Sequence, residues 1–194
     1  MKNYLLFSLI GFLLISCSTT KLENEIIENF LNEKHKNDTE KVFLINKALS
    51  KKSALSIYEY AYNRRDLTYY LSHPLKDKNN WLLNTTTLIR LKKLYNKDTI
   101  TYYWKKTDFE NLNVPIMEYP MNFTDSEVTE HLQGSSKGYI ISRPVLFSNN
   151  KNALLCFSSY SIILGGSSGR QIYILKKIKG NWIVVGEYFD GVYN

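Results

Sequence analysis

Four runs near the C-terminus, YIISRPVLF (139–147), ALLCFSSYSIIL (153–164), QIYILKKI (171–178) and WIVVGEYF (182–189), decide the fold class. They are rich in β-branched and aromatic residues, which suit a pleated, half-buried surface. Turn residues separate them at regular spacing: Ser-Asn-Asn-Lys-Asn after the first, Gly165-Gly-Ser-Ser-Gly169 after the second, Lys179-Gly180-Asn181 after the third. The pattern predicts a four-stranded antiparallel meander. Pro144 cannot donate to a strand ladder, so the first run is expected at a sheet edge.

Upstream, the periodicity changes. Leu22, Ile26, Ile27, Phe30 and Leu31 return to one side of a helix, with acids between them, and predict a helix over 21–36. Thr85 to Tyr95 opens on threonines able to cap and sets Leu88, Leu91 and Leu94 or Tyr95 along one side, a second helix. The run Val42–Ile45 is β-prone; 56–62 fits strand or helix. Residues 107–138, broken by Pro115 and Pro120, read as irregular surface. The expected architecture is α+β, an antiparallel sheet with the N-terminal helices packed on one face.

The first residues read differently from the rest. Lys2 precedes an uncharged apolar run over 4–15, too short for a bilayer core that needs about twenty helical residues. Small polar residues follow at once, the anatomy of a cleaved export signal. Leu14-Ile15-Ser16-Cys17 resembles the lipobox of bacterial lipoproteins, with an aliphatic residue at −3, a small one at −1 and the cysteine. The resemblance implies cleavage between Ser16 and Cys17, a thioether-linked diacylglycerol on Cys17, and often an acylated new amino terminus. Two or three acyl chains anchor far more firmly than one. Ser18 stands where an Asp would resemble an inner-membrane retention signal, so the outer membrane is expected. The chain then divides into a signal (1–16), a lipidated cysteine with a short polar tether (17–20) and one domain (21–194).

The whole chain is 44% hydrophobic and 14% aromatic, enough apolar surface to fold rather than remain disordered. A net charge of +7 comes from lysines scattered in ones and twos. That argues against a nucleic-acid site and for attraction to anionic headgroups or cell-surface polymers, or simply for a solvated surface. With Cys17 lipidated, Cys156 has no disulfide partner, and its apolar setting predicts a buried small hydrophobe.

Chemistry-bearing motifs are sparse. His35, His73 and His131 have no zinc-type spacing. The glycine-rich loop beside Arg170 joins two strands rather than a strand and a helix, so it lacks the context of a phosphate-binding loop. Glu187, Asp190, Asp108 and Glu110 offer carboxylate pairs of the kind glycoside hydrolysis needs, without a spacing that selects two of them. No catalytic residue, metal ligand or cofactor is assigned. Tyrosine is the unusual residue, fifteen in all, clustered at 58–62, 69–70 and 102–104. Tyr102, Tyr103 and Trp104, with Arg170, are the expected ligand contacts, since such rings pair an apolar face with a polar tip.

The ending from Tyr173 to Gly191, with its Lys-x-x-Gly-x-Trp turn, resembles that of small envelope proteins of Bacteroidota-type bacteria. Similar strand-turn-strand endings occur in NTF2-like and cystatin-like folds. The resemblance implies an architecture and an envelope setting, and carries no catalytic residues. The expected function is a lipid-anchored envelope protein that binds a protein or glycan; a hydrolase of surface polymers and an immunity lipoprotein against an exported toxin are the alternatives. Oligomeric state is left open.

Overall fold

A computed structural model describes residues 2–36, 38–63, 81–98, 100–119, 136–161, 166–167 and 169–189, with side chains of the first helix described from residue 19 onward. Helix α1 (Lys2–Lys36) opens the chain, followed by strand β1 (Lys41–Ile45) and helices α2 (Lys51–Asn63) and α3 (Thr85–Tyr95). Strand β2 (Ile116–Met117) precedes the C-terminal strands β3 (Ser136–Ile141), β4 (Val145–Phe147), β5 (Asn152–Ser161), β6 (Gly166–Ser167), β7 (Gln171–Ile178) and β8 (Asn181–Phe189).

All eight strands share one sheet, in the order β2-β1-β3-β5-β7-β8, with β4 and β6 also pairing to β5. The class is α+β as expected. The sheet, however, is mixed: β1 runs parallel to both β2 and β3, while β3-β5, β5-β7 and β7-β8 are antiparallel. The first expected strand is also cut in two. Arg143-Pro144 falls between β3 and β4, and β3 lies inside the sheet between β1 and β5 rather than at an edge. Proline breaks the strand instead of marking an edge, because neither ladder has to include it.

Each helix follows from its own residues. In α2 the buried Ala54, Leu55, Tyr58 and Ala61 fall on one helical face, and Ser50 caps the start by accepting from the Ser53 amide at 3.1 Å. That settles 56–62 as helix. In α3 the cap is Asn84, one residue before the threonines, accepting from the Thr87 amide at 2.9 Å. Helix α1 is continuous from Lys2 to Lys36, so residues 18–20, expected as a tether, are helical.

The helices take both faces of the sheet, not one. Strand alternation explains the split: Ala153, Leu155 and Phe157 of β5 face Ile26, Ile27, Phe30 and Leu31 of α1, whereas Leu154 and Cys156 face α2 and α3. Cys156 is fully buried there. Within the glycine-rich stretch, Gly166 and Ser167 pair with Ser161 and Tyr160; residues 162–165 and 168 lie outside the described residues.

Candidate functional site

The apolar stripe of α1 lies along β5 and β7, and the β7-β8 hairpin extends beside its outer flank. Between them runs a cleft of about 610 Å³. Phe30, Leu175 and Trp182 form its floor, Asn29, Glu33, Lys34 and Asn181 its rim, and Ile183 and Val184 its outer lip. Those two lip residues are 46% and 44% exposed. Phe30 is fixed by ring contacts with Phe157 and Tyr173, at centroid distances of 5.7 and 4.8 Å. The indole Nε1 of Trp182 is buried without a hydrogen-bond partner among the described residues, and the Lys177 ammonium sits 5.5 Å from its ring.

At the inner end of the cleft, the Lys34 ammonium donates to the Tyr173 hydroxyl at 2.9 Å. That hydroxyl lies 2.8 Å from Gln171 Oε1 and 2.8 Å from Glu187 Oε1, with one proton to give. Burial, and then the Glu187 charge, push the Tyr173 phenol well above its usual range, so it stays protonated. Among the described residues, Glu33 is the one carboxylate on the rim, and it pairs with Lys36 at 2.5 Å. A shallow apolar trough with amides and ions of both signs around it is chemistry for holding a ligand.

The expected contact residues do not form one surface. Backbone pairing of residues 46–48 with 102–104, Ala48 N–H to Tyr102 O at 2.9 Å and Trp104 N–H to Asn46 O at 2.7 Å, imposes strand-like alternation. Trp104 therefore turns into the core, 2% exposed, against Tyr102 and Phe109. Tyr102 is half-buried; it donates to Asp108 Oδ2 at 3.0 Å and lies under the Arg143 guanidinium, 4.8 Å away. Burial, and then that bond to Asp108, push its phenol up to about 12. Of the three, Tyr103 alone presents an exposed ring, 44% accessible. Arg170 is exposed just ahead of β7, and β3 and β5 lie between that strand and β1.

Ser16 and Cys17 lie on the backbone of α1, but their side chains are outside the described residues, as are Tyr69, Tyr70, His73, His131 and Asp190. The Nδ1 of His35 is buried without a partner among the described residues. The described acids are dispersed: Asp108 caps a short 3-10 turn, Glu110 pairs with Lys21 at 3.3 Å, and Glu187 serves Tyr173 on β8. Among the described residues no group of three or more His, Cys, Asp or Glu side chains converges on a metal-sized space. Nor is any helix among them long and apolar enough to cross a membrane.

Sequence reasoning missed a buried ion cluster. Glu23, 2% exposed, accepts from Lys51 Nζ at 2.7 Å with one oxygen and from Arg143 Nε and Nη2, at 2.7 and 2.5 Å, with the other. The clue was an acid on the inward stripe of α1, three and four residues before Ile26 and Ile27. Comparison with family models, curated proteins and solved structures returns no match.

Proposed function

We propose that this chain is a lipid-anchored envelope protein that binds a partner, protein or glycan, in the cleft between α1 and the β7-β8 hairpin, and does not turn it over. The observation that carries the reading is the cleft itself. Its floor is apolar, its lip exposes Ile183 and Val184, and its rim places Lys34, Glu33 and two amides where a bound chain would meet them. Surfaces with an aromatic centre and a polar margin are the usual form of protein recognition sites. The lipobox-like Leu14–Cys17 supports the anchor, and the four C-terminal runs, though joined to a mixed sheet, support the envelope-protein architecture their sequence resembles. A hydrolase of surface polymers would need two carboxylates facing one substrate; among the described residues the rim supplies Glu33, and Glu187 at the inner end is engaged by the Tyr173 hydroxyl.

Two measurements test it. Intact mass of the N-terminal fragment, with membrane fractionation, should find acylation in wild type and a released, unacylated chain in Cys17→Ala. A photo-crosslinking residue at Val184 should trap discrete envelope adducts, and Asn29→Trp, which fills the cleft, should abolish them. Adducts indifferent to Asn29→Trp would refute the cleft; an unacylated wild type would refute the anchor.

A further inference from the structure

The direction of α1 relative to the sheet fixes which end of the molecule meets the anchor. Lys34 reaches Tyr173 at 2.9 Å, and Glu25 reaches Lys177 at 3.4 Å. Between those contacts α1 rises about 13 Å and β7 advances about 13 Å, so the two elements run antiparallel and in step. A second pair of contacts agrees: Asp38, just past α1, bonds Tyr139 within β3, whereas Glu23 bonds Arg143 beyond the end of β3. The N-terminal half of α1 therefore points toward the sheet end that carries the β4-β5 turn and the β7-β8 hairpin tip. Cys17 lies about 12 Å of helix beyond Glu25, on the side of the hairpin tip.

The hairpin side of that end is basic, whereas beside α1 the acids Glu25, Glu28, Asp108 and Glu110 share a separate depression with Lys21. Lys176, Lys177 and Lys179 are exposed on the hairpin, and Lys151 is exposed on the adjacent turn, whose carbonyl accepts from the Lys177 amide at 2.8 Å. The outer side of α3 borders the same turn: Arg90, Lys93 and Leu94 share a depression with Ser148, Asn149 and Asn150. Among the described residues, the one ion pair made by these six cations is Lys177 with Glu25. Apolar tips stand among them, with Ile178 39% and Leu94 67% exposed. Exposed lysines flanking an exposed aliphatic side chain match a bilayer interface, where the cations meet phosphates and the aliphatic tip enters the acyl boundary.

We propose that this end of the sheet, with Lys151, Lys176 and Lys179 around Ile178 and Arg90 and Lys93 alongside, is a second membrane contact that rests on the anionic phospholipid headgroups surrounding the anchor. Its orientation toward the bilayer rests on the lipid-anchor reading; its affinity for anionic lipid does not. The contact holds the domain upright in one orientation and turns the opposite end, with Arg170 and the start of β7, away from the membrane.

The test separates the two readings. The chain from residue 17 onward, carrying Cys17→Ser and therefore no lipid, is mixed with vesicles of phosphatidylcholine alone or with 30% phosphatidylglycerol, and binding is read by flotation at low and at about 0.5 M salt. Every α1 side chain described in the core lies at or after Leu22, so this chain keeps the whole described core. Binding should require phosphatidylglycerol, weaken with salt, and fall roughly tenfold or more in a Lys151→Gln, Lys176→Gln, Lys179→Gln variant. Ile178→Ser should weaken it further, and Arg170→Gln, at the opposite end, should leave it unchanged; circular dichroism verifies that each variant is folded. Equal binding to both vesicles, a triple variant that binds as the parent does, or equal loss from Arg170→Gln would overturn the proposal. So would competition by soluble polyphosphate together with indifference to Ile178→Ser, which would mean a polyanion site. Vesicle binding that behaves as expected while wild-type Cys17 is unacylated would remove the anchor and keep the surface.

Discussion

Single side chains carry much of this molecule's polar energetics. Tyr139, 1% exposed, donates to Asp38, whose carboxylate also takes Lys137 at 3.2 Å. Burial pushes the Asp38 carboxyl up, but the bonds from Tyr139 and Lys137 outweigh it and leave the group below its usual value. Its contribution is therefore full above about pH 4 and is lost as the pH falls further. The phenols behave in the opposite sense. Burial first, and then carboxylate neighbours, raise Tyr102, Tyr139 and Tyr173, and burial alone raises Tyr188. Stability from a raised group is intact below the unfolded value of about 10 and disappears as the pH climbs through the folded value. Urea melts between pH 9 and 12 should show a steep loss beginning near pH 10, and Tyr139→Phe should make that loss shallower. Glu23 is a costly carboxylate to remove, since Lys51 would remain as a buried cation and the half-buried Arg143 would lose its partner. Glu23→Ala should lower unfolding free energy by about 3–5 kcal/mol, measured by urea titration at pH 7.

At the scale of elements, local period was legible and pairing was not. The helix over 21–36 and the burial of Cys156 follow from neighbours a few residues away. Tyr58-Glu-Tyr-Ala-Tyr62 alternates like a strand, yet Ala54, Leu55, Tyr58 and Ala61 share a helical face; one segment satisfied both periods until its packing partner was known. The partner is on the sheet: Tyr58 makes an edge contact with Tyr188 at 6.0 Å, and its hydroxyl donates to Leu83 O at 2.9 Å. The parallel pairing of β1 with β3 joins residues more than ninety apart, and no local residue signals it. Trp104 was misplaced for the same reason, because its inward turn depends on residues 46–48. The cleft had a faint signal in Trp182 followed by Ile183 and Val184, a large ring beside two aliphatics on an outermost strand, and it needed α1 to become a cleft. Capping makes an independent test at this scale: Asn84→Ala should cost about 1 kcal/mol, and Asn84→Ser should recover most of it, by thermal melts.

Across the whole molecule, α1, the sheet and the α2-α3 layer meet at Glu23, where a residue of one face-covering helix binds the first residue of the helix on the other. The described core takes its α1 side chains from Leu22 onward. A chain beginning at residue 17 should therefore melt within a few degrees of the full chain, whereas one beginning at residue 32, stripped of Ile26, Ile27, Phe30 and Leu31, should fail to give a cooperative transition in calorimetry. The layered arrangement also has a mechanical side. Because α1 lies antiparallel to β7 and leaves the domain along its own axis, a pull on Cys17 loads the interface between helix and sheet in shear. Ile26, Ile27, Phe30 and Leu31 then resist together instead of peeling off one after another, so that tension along the helix axis is shared by the whole apolar stripe.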